Sequence, residues 1–177
     1  MLIIVTGSIG AGKSTVCLKL VEWARRTGCA CGGVLSHKKE GGGIIVEDIR
    51  TGQRMDLAGP PSAYAGPAIG DYSFSPEGIA FGIPAIEKAM GLPLAIIDEL
   101  GPLELSGRGF SNAVPLLREP REGAQLVVIR EELLNSFIPL FNRETMVLRT
   151  TTGRRDILPW QISRVVRGKL VICRPGM

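Results

Sequence analysis

Gly7-Ser8-Ile9-Gly10-Ala11-Gly12-Lys13-Ser14-Thr15 fits the pattern G-x-x-x-x-G-K-[ST] at every position, and it follows the apolar run Leu2-Ile3-Ile4-Val5. Buried strand, glycine turn, then helix is the context a phosphate-binding loop requires. Gly7, Gly10 and Gly12 let the backbone curl so that successive N–H groups point inward at an anion. The helix that starts near Lys13 adds the positive end of its dipole. Lys13 is placed to neutralise β- and γ-phosphate charge, the Ser14 hydroxyl to ligate Mg²⁺, and Thr15 to donate to the α-phosphate. The whole stretch Gly7 to Thr15 is therefore expected to hold a nucleoside triphosphate with Mg²⁺.

Working outward, the helix spans Lys13 to about Arg26, with Val16, Leu20, Val21 and Trp23 or Ala24 facing a sheet, and Gly28 ends it. Gly33 to Ser36, Ile44 to Ile49 and Arg54 to Ala58 read as strands. The short turns at Gly41-Gly42-Gly43 and Thr51-Gly52 make them an antiparallel hairpin or meander. Gly59 to Gly70 reads as a loop, Tyr72 to Phe74 as a brief strand. Ser75 caps a helix with Pro76 at its first position, running to Met90 with Gly82 and Pro84 positioned to bend or split it.

Leu94 to Ile97, Gln125 to Ile129 and Thr145 to Arg149 are further strands. Helices are expected over Phe110 to Leu117, from Glu131, and over Leu158 to Arg167, and Leu170-Val171-Ile172 as an edge strand. Strands apolar on both faces, alternating with helices, imply a mostly parallel sheet covered on both sides, with the antiparallel hairpin as an insertion. No internal repeat or linker divides residues 1–177, so one domain is expected.

The strand Leu94-Ala95-Ile96-Ile97 ends in Asp98-Glu99. Asp98 has the form of the acid that holds Mg²⁺ opposite a phosphate loop. Glu99, directly after it, is placed to orient and polarise a water for attack on the γ-phosphate. Arg108, between Gly107 and Gly109, and Arg130, at the end of Leu126 to Ile129, are the candidates to offset charge on the transferring phosphoryl group. Asp98-Glu99-Leu100-Gly101 also spells D-x-x-G, but no N-K-x-D accompanies it. Leu105-Ser106-Gly107 resembles the start of a transporter-ATPase signature but lies after the acidic strand, on the wrong side of it.

Together the phosphate loop, Gly32-Gly33 with Thr51-Gly52, and Ile97-Asp98-Glu99-Leu100-Gly101-Pro102-Leu103-Glu104-Leu105 resemble the small nucleoside-triphosphatase family of thermophiles and animals (the cancer-related nucleoside triphosphatase). Thr152-Gly153-Arg154-Arg155-Asp156-Ile157-Leu158-Pro159 resembles that family's Thr-x-x-Asn-Arg-Asp-x-Leu segment. The resemblance implies a three-layer α/β phosphate-loop fold of the additional-strand, catalytic-glutamate type. It also implies slow, Mg²⁺-dependent hydrolysis of the γ-phosphate of ATP, GTP and other nucleotides. Lys13, Ser14, Asp98 and Glu99 carry over, and Glu104 matches a family acid. The chain departs at Ser36-His37-Lys38-Lys39, where many members have Thr-Glu-Glu, and at Arg154, where Asn is frequent, so the resemblance implies altered base or ribose contacts there.

Two rival readings share the scaffold. A small-molecule or nucleotide kinase needs an acceptor lid, and Gly59 to Gly70 contains no Arg or Lys to clamp phosphates. A nucleotide-gated binding or assembly factor would use the basic residues near the end, Arg164, Arg167, Lys169 and Arg174. The net charge is +4, yet no aromatics interleave with those charges, which argues against a nucleic-acid surface. Cys17, Cys29, Cys31 and Cys173, with His37 alone among histidines, supply a zinc site poorly and read as reduced thiols. No charged leader precedes the first strand and no apolar run reaches membrane-spanning length, so a cytoplasmic protein is expected.

Overall fold

A computed structural model of the chain describes the backbone of residues 1–172 and the side chains of residues 1–168. Nine strands form one sheet: β1 (Leu2–Thr6), β2 (Cys31–Lys38), β3 (Ile44–Asp48), β4 (Arg54–Gly59), β5 (Ala68–Ile69), β6 (Tyr72–Phe74), β7 (Leu94–Leu100), β8 (Ala124–Ile129) and β9 (Thr145–Arg149). The helices are α1 (Lys13–Thr27), α2 (Pro76–Ala89), α3 (Pro102–Leu105), α4 (Ala113–Arg118), α5 (Leu134–Phe141) and α6 (Leu158–Ile172), with a 3₁₀ turn at Glu131–Leu133.

The sheet order is β5-β6-β4-β3-β2-β7-β8-β1-β9. From β2 to β9 every pairing is parallel, and β3 to β6 join by antiparallel pairs. β8 stands between β1 and the acidic strand β7, which is the additional strand the family resemblance implies. The register Ile4↔Val127 and Ile97↔Val127 brings the ends of β1, β8 and β7 to one edge of the sheet.

Alternation decides which side each residue serves. Leu2 and Ile4 of β1, Ile97 of β7, and Val127 and Ile129 of β8 pack against Ile86, Met90, Leu117, Phe137 and Phe141. Those residues belong to or adjoin α2, α4 and α5. Ile3 and Val5, with Ile96, Leu126 and Val128, pack instead against Val16, Leu20 and Ala24 of α1 and Leu158, Ile162 and Val166 of α6. Two apolar layers therefore flank the parallel core, and burial on this scale is the main term holding the sheet flat against its helices.

Several expectations change at element ends. α2 runs unbroken through Gly82 and Pro84. Gly82 leaves room for Phe110: a Cβ there would lie 2.5 Å from Phe110 Cε1. Ser75 caps this helix by accepting from Gly78 N at 3.0 Å. The helix expected from Phe110 begins at Ala113, and that expected from Glu131 opens as a 3₁₀ turn. The expected edge strand Leu170-Val171-Ile172 is corrected outright, because α6 continues through Ile172. The apolar stripe Leu158, Ile162, Val166 is already seated on the sheet, and a glycine at 168 costs a packed helix only about 1 kcal/mol. Cys173 and Arg174 lie outside the described residues.

Among the described residues no helix is long and apolar enough to cross a membrane. Arg164 lies over the Trp160 ring and Arg167 over that of Trp23, at 5.1 and 5.4 Å from the ring centroids. The first contact lies within α6, and the second ties the outer surface of α6 to α1.

Candidate active site

The chain leaves β1 at Thr6 and turns through three glycines with positive φ, Gly7, Gly10 and Gly12, before α1 begins at Lys13. Gly7 is forced by proximity as well: a Cβ there would lie 2.5 Å from the carbonyl oxygen of Thr150. Ser8, Ile9 and Gly10 form the exposed tip, and Ile9 is 72% exposed. Lys13 is buried and folds back along the loop, donating from Nζ to the carbonyl oxygens of Gly7 at 2.8 Å and Ser8 at 2.9 Å. Its ammonium is thus held inside the curl of the loop, where an anion would be seated.

β7 carries the acidic pair to this loop. Ser14 Oγ donates to Asp98 Oδ1 at 3.2 Å across 84 positions of sequence. The backbone N–H of Ser36 donates to Asp98 Oδ2 at 3.4 Å, and the Ser36 hydroxyl donates to the Asp98 carbonyl. The parallel register Val34↔Ile97 makes this possible by bringing the end of β2 alongside β7. Asp98 is 1% exposed, and no ion pair to it forms among the described residues. Burial pushes its pKa up to about 7, with repulsion from Glu99 adding to the rise. The bonds from Ser14 and Ser36 and the charge of Lys13 pull the other way.

Glu99 is half-buried and accepts from Arg130 Nε at 2.7 Å. Arg130 directly follows β8, so two of the expected residues meet in one ion pair. Arg108 does not join them: it is exposed and donates from Nε to Ser106 Oγ at 3.1 Å. Its loop is nonetheless pinned at the site. Glu104, buried on α3, accepts from the N–H of Gly101 at 2.7 Å and from that of Phe110 at 2.9 Å. Burial raises the Glu104 pKa and these backbone donors oppose the rise.

Ser36 and Arg155 are neighbours of the site that the sequence reading did not assign. The β2–β7 register sets Ser36, the first residue of the stretch that departs from the family pattern, beside Asp98. Arg155 lies on the phosphate loop itself: a Cβ on Gly12 would fall 2.7 Å from Arg155 Cδ. At the departing Ser36-His37-Lys38-Lys39 stretch, His37 Nε2 lies 3.0 Å from Glu47 Oε2, which Arg54 also engages at 2.6 Å.

A parallel core with helices on both faces, an additional strand between loop strand and acidic strand, and a G-x-x-x-x-G-K-S turn at its edge define the class: a phosphate-loop NTPase fold. The crystal structure of THEP1 from Aquifex aeolicus is similar in fold, with a TM-score of 0.77 and 20% identity over 94% of this chain and 99% of that one. The NTPase family model matches residues 2–163, and the chain belongs to that family. Among its relatives, nucleoside-triphosphatase THEP1 of Methanosarcina acetivorans is 33% identical, covering 95% of this chain and 98% of the relative. That of Thermofilum pendens is also 33% identical, covering 92% and 93%.

Proposed function

We propose that this chain is a Mg²⁺-dependent nucleoside-triphosphatase that releases the γ-phosphate of ATP, GTP and related nucleotides. Its membership of the NTPase family and its relatives' activity support the reaction class. The observation that carries the site is the Ser14–Asp98 hydrogen bond, which joins the phosphate loop to the acidic strand.

Ser14 and Asp98 fit a magnesium ion. A hydroxyl and a carboxylate are hard oxygen donors. Asp98 is a buried carboxyl group without an ion-pair partner among the described residues, and a bound cation would favour its ionised form. No group of three or more His, Cys, Asp or Glu that could hold a metal occurs among the described residues. Magnesium needs none, since it is commonly held by one carboxylate together with substrate oxygens and waters. When bound, the ion supplies positive charge to the β- and γ-phosphates.

The chain's own residues do the rest. The N–H groups of the Gly7 to Thr15 loop and the N-terminus of α1 seat the phosphates, and Thr15 donates to the α-phosphate. Lys13 exchanges its loop carbonyls for β- and γ-phosphate oxygens. Glu99 orients a water and accepts its proton as the water oxygen bonds to the γ-phosphorus. The bond to the β,γ-bridging oxygen breaks, yielding nucleoside diphosphate and inorganic phosphate. Arg130 fixes Glu99 and offsets charge on the γ-phosphoryl oxygens. Arg108 is the second basic candidate, on the loop that Glu104 pins.

The reading extends to the protein as a whole. Residues 1–177 act as one domain, supported by the single sheet that carries the nine strands of the described residues. Its setting is cytoplasmic, consistent with free thiols at Cys17, Cys29 and Cys31 whose pKa values burial raises. Steady-state phosphate release across a panel of nucleotides, with Mg²⁺ and with excess chelator, tests the reading. Turnover that persists in chelator removes the metal, and no turnover with any triphosphate removes the reaction.

A further inference from the structure

Asp98 and Glu99 are consecutive, yet each meets a different partner. Asp98 Oδ1 accepts from Ser14 at 3.2 Å, and Glu99 Oε1 accepts from Arg130 Nε at 2.7 Å. The peptide unit joining the two acids is planar, so tilting it moves both side chains together. The strand ladders leave this unit aside. β2 pairs with β7 as far as Val34↔Ile97, and β8 pairs with β7 at Ile97↔Val127 and again at Leu100↔Ile129, with an irregularity between. The acidic pair falls in that break.

Ser36 fills it. Its hydroxyl donates to the Asp98 carbonyl oxygen, which belongs to the linking peptide, and its N–H donates to Asp98 Oδ2 at 3.4 Å. Ser36 is itself firmly placed. It pairs with Val46 of β3, and His37 beside it brings Nε2 within 3.0 Å of Oε2 of the buried Glu47. Arg54 of β4 engages the same carboxylate at 2.6 Å. The antiparallel strands thus brace the end of β2 from the side away from β7.

We propose that Ser36 is a positioning residue for the acidic pair. Its hydroxyl fixes the Asp98–Glu99 peptide, so that Asp98 keeps an oxygen toward Ser14 and Glu99 stays aimed beside Arg130. This rests on the magnesium reading above and adds a residue that acts through the two acids rather than on the nucleotide. Hydrogen bonds behind a metal-binding carboxylate set its orientation, and losing one typically costs about 10- to 100-fold in metal affinity or activity.

Calorimetric titration with the β,γ-imido analogue of ATP, in excess Mg²⁺ and again in chelator, gives the factor by which Mg²⁺ strengthens nucleotide binding. It is measured on wild type, Ser36→Ala and Ser36→Thr, beside kcat and urea unfolding. Ser36→Ala is expected to hold its affinity in chelator within about twofold and to lose about tenfold of the Mg²⁺ enhancement, with kcat at saturating Mg²⁺ falling about tenfold. Ser36→Thr keeps the hydroxyl and is expected to restore both. An unchanged Mg²⁺ enhancement in Ser36→Ala, with or without a lower unfolding midpoint, makes the hydroxyl a structural bond only and overturns the proposal. Failure of threonine to restore what alanine loses overturns it too, as does equal weakening with and without Mg²⁺. Wild type that shows no Mg²⁺ enhancement removes the magnesium reading and the proposal with it, whereas every other adverse outcome leaves that reading standing.

Discussion

Arg130 Nε donates to Glu99 Oε1 at 2.7 Å, so the residue following β8 holds the residue proposed to aim the attacking water. The pair is partly solvated, with 39% of the Arg130 side chain exposed, and such pairs add at most about 1 kcal/mol to stability. The role proposed for it is in turnover. Arg130→Ala and Arg130→Lys are both expected to lower kcat about 10³-fold while shifting unfolding by less than about 1 kcal/mol. Phosphate-release assays beside urea denaturation check this. A large stability loss with intact kcat would make the pair structural.

Glu99→Gln keeps the size of the side chain and removes its basicity. Nucleotide affinity is expected to hold, and turnover to fall by about 10² to 10⁴-fold. Lys13→Ala, by contrast, is expected to lose triphosphate binding, because the ammonium seated within the loop is gone. Comparing equilibrium binding with single-turnover rates separates the two. Unchanged hydrolysis by Glu99→Gln would take Glu99 out of the chemistry.

The parts of this site readable from sequence are those coded locally. Gly7 to Thr15 must curl because its glycines and the flanking strand and helix leave no other shape, and Leu94 to Ile97 must be an interior strand because both its faces are apolar. Ser36 and Arg155 carry no such local code, since what they meet comes from distant segments, and the two acceptances by Glu104 depend on the turn of the short helix α3. Glu104 meets Phe110 N only because α3 turns the chain back, and Arg155 meets Gly12 only because β9 pairs with β1. Leu170-Val171-Ile172 reads as a strand from sequence because a three-residue apolar run carries no period of its own. The seated stripe of α6 decided its conformation.

Glu104 gives a prediction about the loop that bears Arg108. Its carboxylate is the partner of two buried N–H groups, at Gly101 and Phe110. Glu104→Ala strands both and is expected to cost on the order of 3 kcal/mol. Glu104→Gln keeps one acceptor oxygen and is expected to cost about half as much. Urea unfolding measures both. A loss below about 0.5 kcal/mol for the alanine variant would show that water replaces the carboxylate at no penalty.

Asp98 sets metal-free stability against pH. Burial raises its pKa from 3.8 in the unfolded chain to about 7 in the fold. A raised carboxylate pKa means the folded state binds the proton more tightly. Stability from this group is therefore fully present below about pH 4, declines as pH rises from there to about 7, and is level above. Asp98→Asn stays neutral, and its amide can donate to Ser14 Oγ while its oxygen accepts from Ser36 N, so both existing contacts keep a partner. In chelator without nucleotide, the variant is expected to match wild type near pH 4 and to exceed it by on the order of 2–4 kcal/mol at pH 8. Adding Mg²⁺ should then stabilise wild type and leave Asp98→Asn unmoved, because the buried negative charge that draws the cation is missing. Thermal unfolding across pH 4 to 8, with and without Mg²⁺, checks both halves. A variant less stable than wild type at pH 8 in chelator would mean that Asp98 is ionised at no cost, with its charge fully compensated by Lys13 and the two serines.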